Sequence, residues 1–159
     1  MTFRRLAELV ALAGASRVAQ AQTATQVVTF QVNAISQIAV SGTTAPLVIN
    51  SATAGSAPTS VTSSGSTYAI STNELNQKIT ASLDQALPAG VSLEVSLAAP
   101  GGAASAGSVT LGTANADVVT GISSLAASAL PITYRLSATP VAQFSASSRT
   151  ITFTIVSGT

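Results

Sequence analysis

Apolar and polar residues alternate along most of the chain after residue 22. In the opening stretch, for example, single polar residues separate Val28, Phe30 and Val32. A period of two places successive side chains on opposite faces of a β-strand, so the pattern predicts strands with one apolar and one polar face. Alternation or short apolar runs predict further strands around residues 38–40, 47–49, 68–70, 79–83, 91–97, 109–111, 118–122, 130–136 and 151–155.

Glycine, proline and small polar residues interrupt this pattern where turns and loops are expected. The sequence Leu87-Pro88-Ala89-Gly90 predicts a turn, and with it a hairpin that runs from Ile79 to Val95. Residues 50–66 and 98–108 are rich in Ala, Ser, Thr and Gly, and we predict that they form loops.

Two short segments depart from regular alternation. The apolar phase shifts by one residue at Ala34-Ile35, which indicates a bulge or a bend. Residues 123–130 form the one helix-like window after residue 22. About eight to ten strands at roughly 8–15-residue spacing favour an all-β fold, a two-sheet antiparallel β-sandwich with immunoglobulin-like Greek-key connections.

Residues 1–21 have the organisation of a signal peptide. Arg4 and Arg5 provide positive charge, the next ten residues are mainly apolar, and Ala19-Gln20-Ala21 matches the small-x-small pattern that precedes a cleavage site. That apolar stretch is too short to span a bilayer, which needs about twenty residues. We predict a signal helix over residues 1–21, no stable membrane span after its cleavage, and a single domain over residues 22–159. The expected location is secreted, extracellular or at the cell surface, or else the periplasm; the alternative is an amphipathic helix that stays attached.

Composition narrows the chemistry that this domain can perform. Ala, Ser, Thr and Gly make up more than half of the 159 residues, charged residues are 7%, and His, Cys and Trp are absent. The chain therefore lacks the usual zinc ligands, the most frequent acid–base residue and the thiol nucleophile. After residue 21, only three basic residues stand against four acidic ones, too few for nucleic-acid binding. We expect no enzymatic activity, no cofactor, no metal site and no nucleic-acid partner.

The four carboxylates after residue 21 are the residues with the most potential for catalysis or metal binding. Asp84 and Glu94 would come close if the strands on either side of the Pro88 turn pair, and two carboxylates are the minimum of a glycosidase. Asp84, Asp117 and Glu74 are the candidates for a calcium site, although no typical acidic loop surrounds them. We interpret all four as solvated carboxylates that keep the domain soluble.

Two tyrosines and a lysine have both a functional and a structural interpretation. Tyr68 and Tyr134 could stack on a sugar, but each is in phase with the apolar face of its strand. That phase predicts core packing with the hydroxyl at the rim. Lys78 could serve as the base of a Ser–Lys dyad, but it occupies a polar strand position and is interpreted as a solubilising charge that protects a sheet edge from pairing.

Segments with clear apolar–polar alternation lie at both ends of the domain, and strands of this kind offer a means of assembly. Residues 22–33 carry a polar leader and then one alternating strand, and residues 149–156 form a comparable strand near the C-terminus. Once released by cleavage, the first strand could add to an open sheet edge of a neighbouring copy or pair within its own monomer. A surface of small, uncharged residues also tolerates dense packing of identical copies.

The chain resembles the small exported β-sandwich proteins of bacterial surfaces, including strand-exchanging fimbrial and biofilm-fibre subunits. The resemblance rests on the signal-like residues 1–21, the opening QVVTFQVNAI, the Thr/Ser/Ala-rich loops and the terminal SRTITFTIVSG. It implies a non-enzymatic structural role with self-association by β-strand addition, and no functional residue is carried over. The chain departs from many fimbrial subunits in having no disulfide, because it has no Cys. The alternative function is a secreted binding module for a polysaccharide or another neutral ligand.

Overall fold

The computed structural model describes residues 21–143 and 146–158. Residues up to Val32 and residues from Asn33 onward form two separate compact units. The predicted signal peptide and its helix fall on residues 1–21 and so lie, except for Ala21, outside the described residues. Within the described ranges every regular element is a β-strand, which confirms the all-β prediction.

Nine strands make up the regular structure of the described residues, all in the unit that begins at Asn33. They are β1 (Ser36–Gly42), β2 (Val61–Thr72), β3 (Gln77–Leu83), β4 (Val91–Leu97), β5 (Ala104–Ser105), β6 (Val109–Thr110), β7 (Ala116–Ile122), β8 (Leu125–Ala138) and β9 (Ile151–Ser157). Hydrogen bonds join β1-β2-β8-β4-β6, in that order, into one sheet and β5-β7-β3-β9 into a second. Each of these pairs is antiparallel, so the predicted two-sheet antiparallel arrangement is confirmed.

Buried residues of both sheets join one hydrophobic core. In β4, Leu93, Val95 and Leu97 are buried and the residues between them are half-buried, as the alternation predicted. The four-stranded sheet contributes fully buried residues from β3 and β7, among them Ile79 and Ile122. Because each sheet buries one face in a shared core, the fold is β-sandwich-like.

The predicted hairpin from Ile79 to Val95 is wrong, because its two strands belong to different sheets. Strand β3 lies between β7 and β9, whereas β4 lies between β8 and β6. The turn itself is present: the Val91 N–H donates to the Pro88 carbonyl at 3.1 Å, and Gly90 has a φ of +79°. The chain thus crosses from one sheet to the other at this turn. Both strands bury alternate residues in the same core, so alternation alone does not distinguish a hairpin from such a crossing.

Several other predicted elements differ from the structure. Residues 123–130, the helix-like window, lead into and form the first part of β8. Residues 28–32 and 47–49 belong to no strand. Strand β2 begins at Val61, inside the predicted loop 50–66, because pairing with β8 organises a stretch of Thr, Ser and Gly that has little apolar alternation of its own.

The phase shift at Ala34-Ile35 lies before the first strand, so no bulge forms there. The irregularities of this sheet occur instead in the β2–β8 pair. The register shifts between Ser63 and Ser66, where β2 has the extra residue, and again between Tyr68 and Ile70, where β8 has it. A bulge depends on the pairing partner as well as on the bulged strand, and the partner is not visible in a local phase shift.

Strand β1 ends where two glycines meet. Gly42 has a φ of +89°, and a Cβ at this position would lie 2.5 Å from the carbonyl oxygen of Gly65 in β2. Only glycine fits both the backbone conformation and the close approach. Beyond Gly42 the chain leaves β2, which from Gly65 back to Val61 has no β1 partner.

Candidate functional site

The edge strands on the two sides of the sandwich differ in length. On the side where β6 approaches β7, the edges are β5 and β6, of two residues each. On the side where β1 approaches β9, these two strands are the edges, and each has seven residues. An edge strand presents unpaired backbone groups, which proteins commonly shield with Lys, Pro or a short length. Strands β1 and β9 contain no charged residue and no proline, so this long edge is unshielded.

A groove lies along this edge. It consists of two neighbouring pockets, a larger one of about 1210 Å³ and a smaller one of about 460 Å³, and Phe153 of β9 lines both. Ile151, Phe153 and Ile155 of β9 are only half-buried, and Val40 of β1 is 48% exposed. We call this surface, which is lined by β1, β9 and residues 44–52, the β1/β9 groove.

The larger part of the β1/β9 groove opens onto the hydrophobic core. Leu93 and Tyr134, both buried core residues, lie at its floor. Residues 47–49, the apolar run that was predicted as a strand, line the groove instead. Arg149 borders it, but its guanidinium donates to the carbonyl oxygens of Ala86 and Ser148 and is held by the backbone. The surface is suited to apolar side chains and to backbone pairing.

The described part of the N-terminal unit carries an exposed apolar row. Val27, Val28, Phe30 and Val32 are between 72% and 92% exposed. Apolar side chains in such a contiguous exposed group mark an interaction surface more often than a monomer's free surface. We call residues 22–32 the N-terminal segment.

The proposed pair of catalytic carboxylates is not assembled as the sequence suggested. It depended on pairing between β3 and β4, which lie in different sheets. The Asp84 carboxylate accepts a hydrogen bond from the Thr150 N–H at 3.0 Å, and Glu94 forms an ion pair with Arg135 at 3.1 Å. Both carboxylates therefore have structural partners, one at the start of β9 and one across the β4–β8 pair.

The candidate calcium ligands are also engaged elsewhere. Glu74 accepts a hydrogen bond from the Ser36 hydroxyl, and Asp117 pairs with Lys78 at 3.1 Å. In residues 21–143 and 146–158, no three side chains of His, Cys, Asp or Glu lie together in a group that could hold a metal ion. Lys78 does not protect an edge, as was predicted, because β3 pairs on both sides, with β7 and with β9.

The two tyrosines are core residues, as their phase predicted. Tyr68 and Tyr134 are both buried, so neither ring face is open to stack on a sugar. The Tyr68 hydroxyl donates to the carbonyl of the half-buried Ala98, just after the end of β4, at 2.5 Å. Burial disfavours the charged phenolate and raises the pKa of Tyr68 to about 12, and it raises the pKa of Tyr134 as well.

Comparison of the chain with protein families, with curated proteins and with solved structures finds no match. No helix capable of crossing a bilayer is found in the part of the chain that the structure describes.

Proposed function

We propose that the chain is a secreted or cell-surface structural protein, without enzymatic activity, whose copies join when the N-terminal segment of one enters the β1/β9 groove of the next. The observation that carries this proposal is that one chain has both halves of such a contact. It has an exposed alternating apolar segment and, separately, a long unshielded edge with half-buried apolar side chains beside it.

The two halves match in length and in pattern. Strand β9 has seven residues, about 23 Å at 3.3 Å per residue, and residues 26–32 have the same length in an extended conformation. In such a strand Val28, Phe30 and Val32 would face the groove, and the polar residues between them would face water. Full burial of each of these three side chains contributes about 1.5–3 kcal/mol, before the cost of ordering the segment.

The backbone supplies the other part of the affinity. A strand added to the free edge of β9 would pair its N–H and C=O groups with those that β9 leaves unpaired, as in other cases of β-strand addition. Such recognition needs no catalytic residue, metal or charged ligand, in keeping with a composition that lacks His and Cys. The proposal extends to a cleaved signal peptide over residues 1–21 and to immunoglobulin-like Greek-key connectivity.

A matched pair of substitutions tests which face of the segment matters. Phe30→Asp places a charge on the apolar face, whereas Thr29→Asp places the same charge on the polar face one residue away. At about 10 μM, residues 22–159 of the wild type and of Thr29→Asp should form assemblies in light scattering and electron micrographs. Phe30→Asp should weaken the contact at least about a hundredfold, because an unpaired carboxylate would have to be buried.

Deletion of residues 22–32 should also abolish the assemblies and leave a folded, β-rich monomer by circular dichroism. A wild-type protein that stays monomeric with this segment exposed would contradict the proposal. So would assemblies that form equally well with Phe30→Asp or with the deletion.

A further inference from the structure

Residues 33–35 connect the N-terminal segment to β1, and Asn73 holds them by three hydrogen bonds. The Ile35 N–H donates to Asn73 Oδ1 at 2.7 Å, and Asn73 Nδ2 donates to the Asn33 carbonyl at 2.8 Å. The Asn73 N–H donates to the Ile35 carbonyl at 3.1 Å. Asn73 directly follows Thr72, whose partner in β1 is Ser36, so these bonds prolong the β1–β2 ladder beyond its last pair.

A tethered strand has a large advantage over a strand on another molecule. A short linker gives an effective concentration in the millimolar range, about a hundredfold above a protein concentration of about 10 μM. A β-hairpin loop needs only roughly two to five residues, and the linker from the N-terminal segment to β1 has three, Asn33 to Ile35. Assembly between copies therefore requires a feature that prevents the segment from closing onto its own domain.

The linker and its hydrogen bonds provide such a feature. None of its three residues has the positive φ that short hairpin loops require, and Ile35, being β-branched, disfavours such a φ. Both backbone polar groups of Ile35 are bonded to Asn73, which follows β2. The groove, in contrast, lies toward β9. A turn toward β9 within the linker would break these bonds.

We propose, building on the assembly proposed above, that the Asn73 side chain is a positioning group that keeps residues 33–35 extended and thereby directs the N-terminal segment to the groove of a second copy instead of its own. Asn73 does not contact the second copy in this scheme. It determines which of two otherwise equivalent grooves the segment can reach.

Four variants of the full chain test this role. Asn73→Ala removes both side-chain bonds, and Asn73→Asp keeps the acceptor for the Ile35 N–H but loses the donor to the Asn33 carbonyl. Inserting Gly-Ser-Gly-Ser between Val32 and Asn33 leaves Asn73 intact but supplies a flexible turn. Ser41→Ala is the control, since it removes a side-chain hydrogen bond to Thr67 in the same strand pair without touching the linker.

Each protein is dissociated in denaturant, diluted to about 10 μM, and separated into monomer and assembly by size exclusion with light scattering. Hydrogen exchange of residues 27–32 in the monomer fraction then shows whether the segment is paired. We expect the monomer fraction to rise at least about tenfold in Asn73→Ala and in the insertion variant, with residues 27–32 protected. Asn73→Asp should give a smaller rise, and Ser41→Ala should behave like the wild type.

The protection pattern separates the outcomes. Asn73→Ala and insertion variants that assemble as the wild type does would overturn the role of Asn73, and so would variant monomers in which residues 27–32 are unprotected. A wild-type monomer with these residues protected would overturn it too, because closure would then occur despite Asn73. A wild type that remains entirely monomeric at this concentration, with residues 27–32 unprotected, would overturn the proposed assembly itself.

Discussion

Where β4 approaches β7, Val95, Val118 and Val119 are at most 1% exposed, whereas on the opposite side of the same sandwich Val40 is 48% exposed beside the half-buried Phe153. The first side is completed by the chain itself, which adds the short strands β5 and β6 at its margins. The second side ends in two seven-residue strands with a groove along them. Both sides have apolar residues at core-facing positions, so the difference lies in whether the chain covers those residues.

A pair of isoleucines should reveal the largest difference between the two sides. Ile122→Ala in β7 removes a fully buried side chain and should lower the free energy of unfolding by about 2–5 kcal/mol, because the surrounding core cannot collapse fully onto the cavity. Ile155→Ala in β9 removes a half-buried side chain, so about half that loss or less is expected. Urea unfolding of the chain without residues 1–32 measures both. Equal losses would mean that the β1/β9 side is as well packed as the other.

Raising the pH above 10 should lower the free energy of unfolding by a somewhat smaller amount, through the buried Tyr68. The pKa of Tyr68 is about 12 in the folded protein and 10 in the unfolded chain, so below pH 10 both states keep the proton and the stabilisation is complete. Between pH 10 and pH 12 the unfolded state loses its proton first, and stability should fall by about 2–3 kcal/mol. The raised pKa of Tyr134 acts in the same direction.

Tyr68→Phe should make this alkaline loss shallower. At neutral pH the same variant should cost about 1–2 kcal/mol, because the Ala98 carbonyl loses its hydrogen-bond donor. Chemical denaturation at a series of pH values measures both effects. An unchanged slope above pH 10 in the variant would show that Tyr68 is not responsible for it.

The smallest effects on folding are expected from adding one lysine to each side of the sandwich. Only the lysine on the β1/β9 side should affect assembly. Thr154→Lys adds a charge to the open edge strand β9, whereas Thr120→Lys adds one to β7, which is paired on both sides. Both residues are exposed, so each folded monomer should change by less than about 0.5 kcal/mol. Thr154→Lys should weaken assembly at least about tenfold, or about 1.4 kcal/mol, by shielding the edge. If the two variants had equal effects on assembly in light scattering, assembly would not depend on the β9 edge.

The sequence predicted strands where large apolar residues alternate with polar ones, and it was less informative where small residues do so. Leu93, Val95 and Leu97 identify β4 by themselves, whereas the beginning of β8 is built from Ala and Ser, which form helices and strands alike. That beginning includes Ala129 at a φ of +56°, a conformation imposed by the pairing of β8 and foreign to a helix. Its conformation thus depends on β2, which is remote in sequence.

The candidate site also has features that the sequence predicts and features that it does not. The apolar row of the N-terminal segment and the uncharged strand β9 can be read directly from the sequence. The groove cannot, because it depends on which strands become edges, and hairpin-like alternation wrongly placed β3 beside β4. Asn73 carries no motif: its importance arises from a position just after β2 that brings it opposite Ile35, 38 residues away in the chain.

The absence of charge in β1, β9 and the N-terminal segment has a consequence for the environment in which such a contact would work. These three segments form no ion pair across the joint, and the bordering Arg149 is held by backbone carbonyls. Dilution from brine to fresh water would therefore change the strength of the joint less than that of contacts made by ion pairs. Acid would have little effect either, since no carboxylate in these pieces takes up a proton. A filament joined in this manner would hold through changes of salinity that loosen electrostatic adhesives.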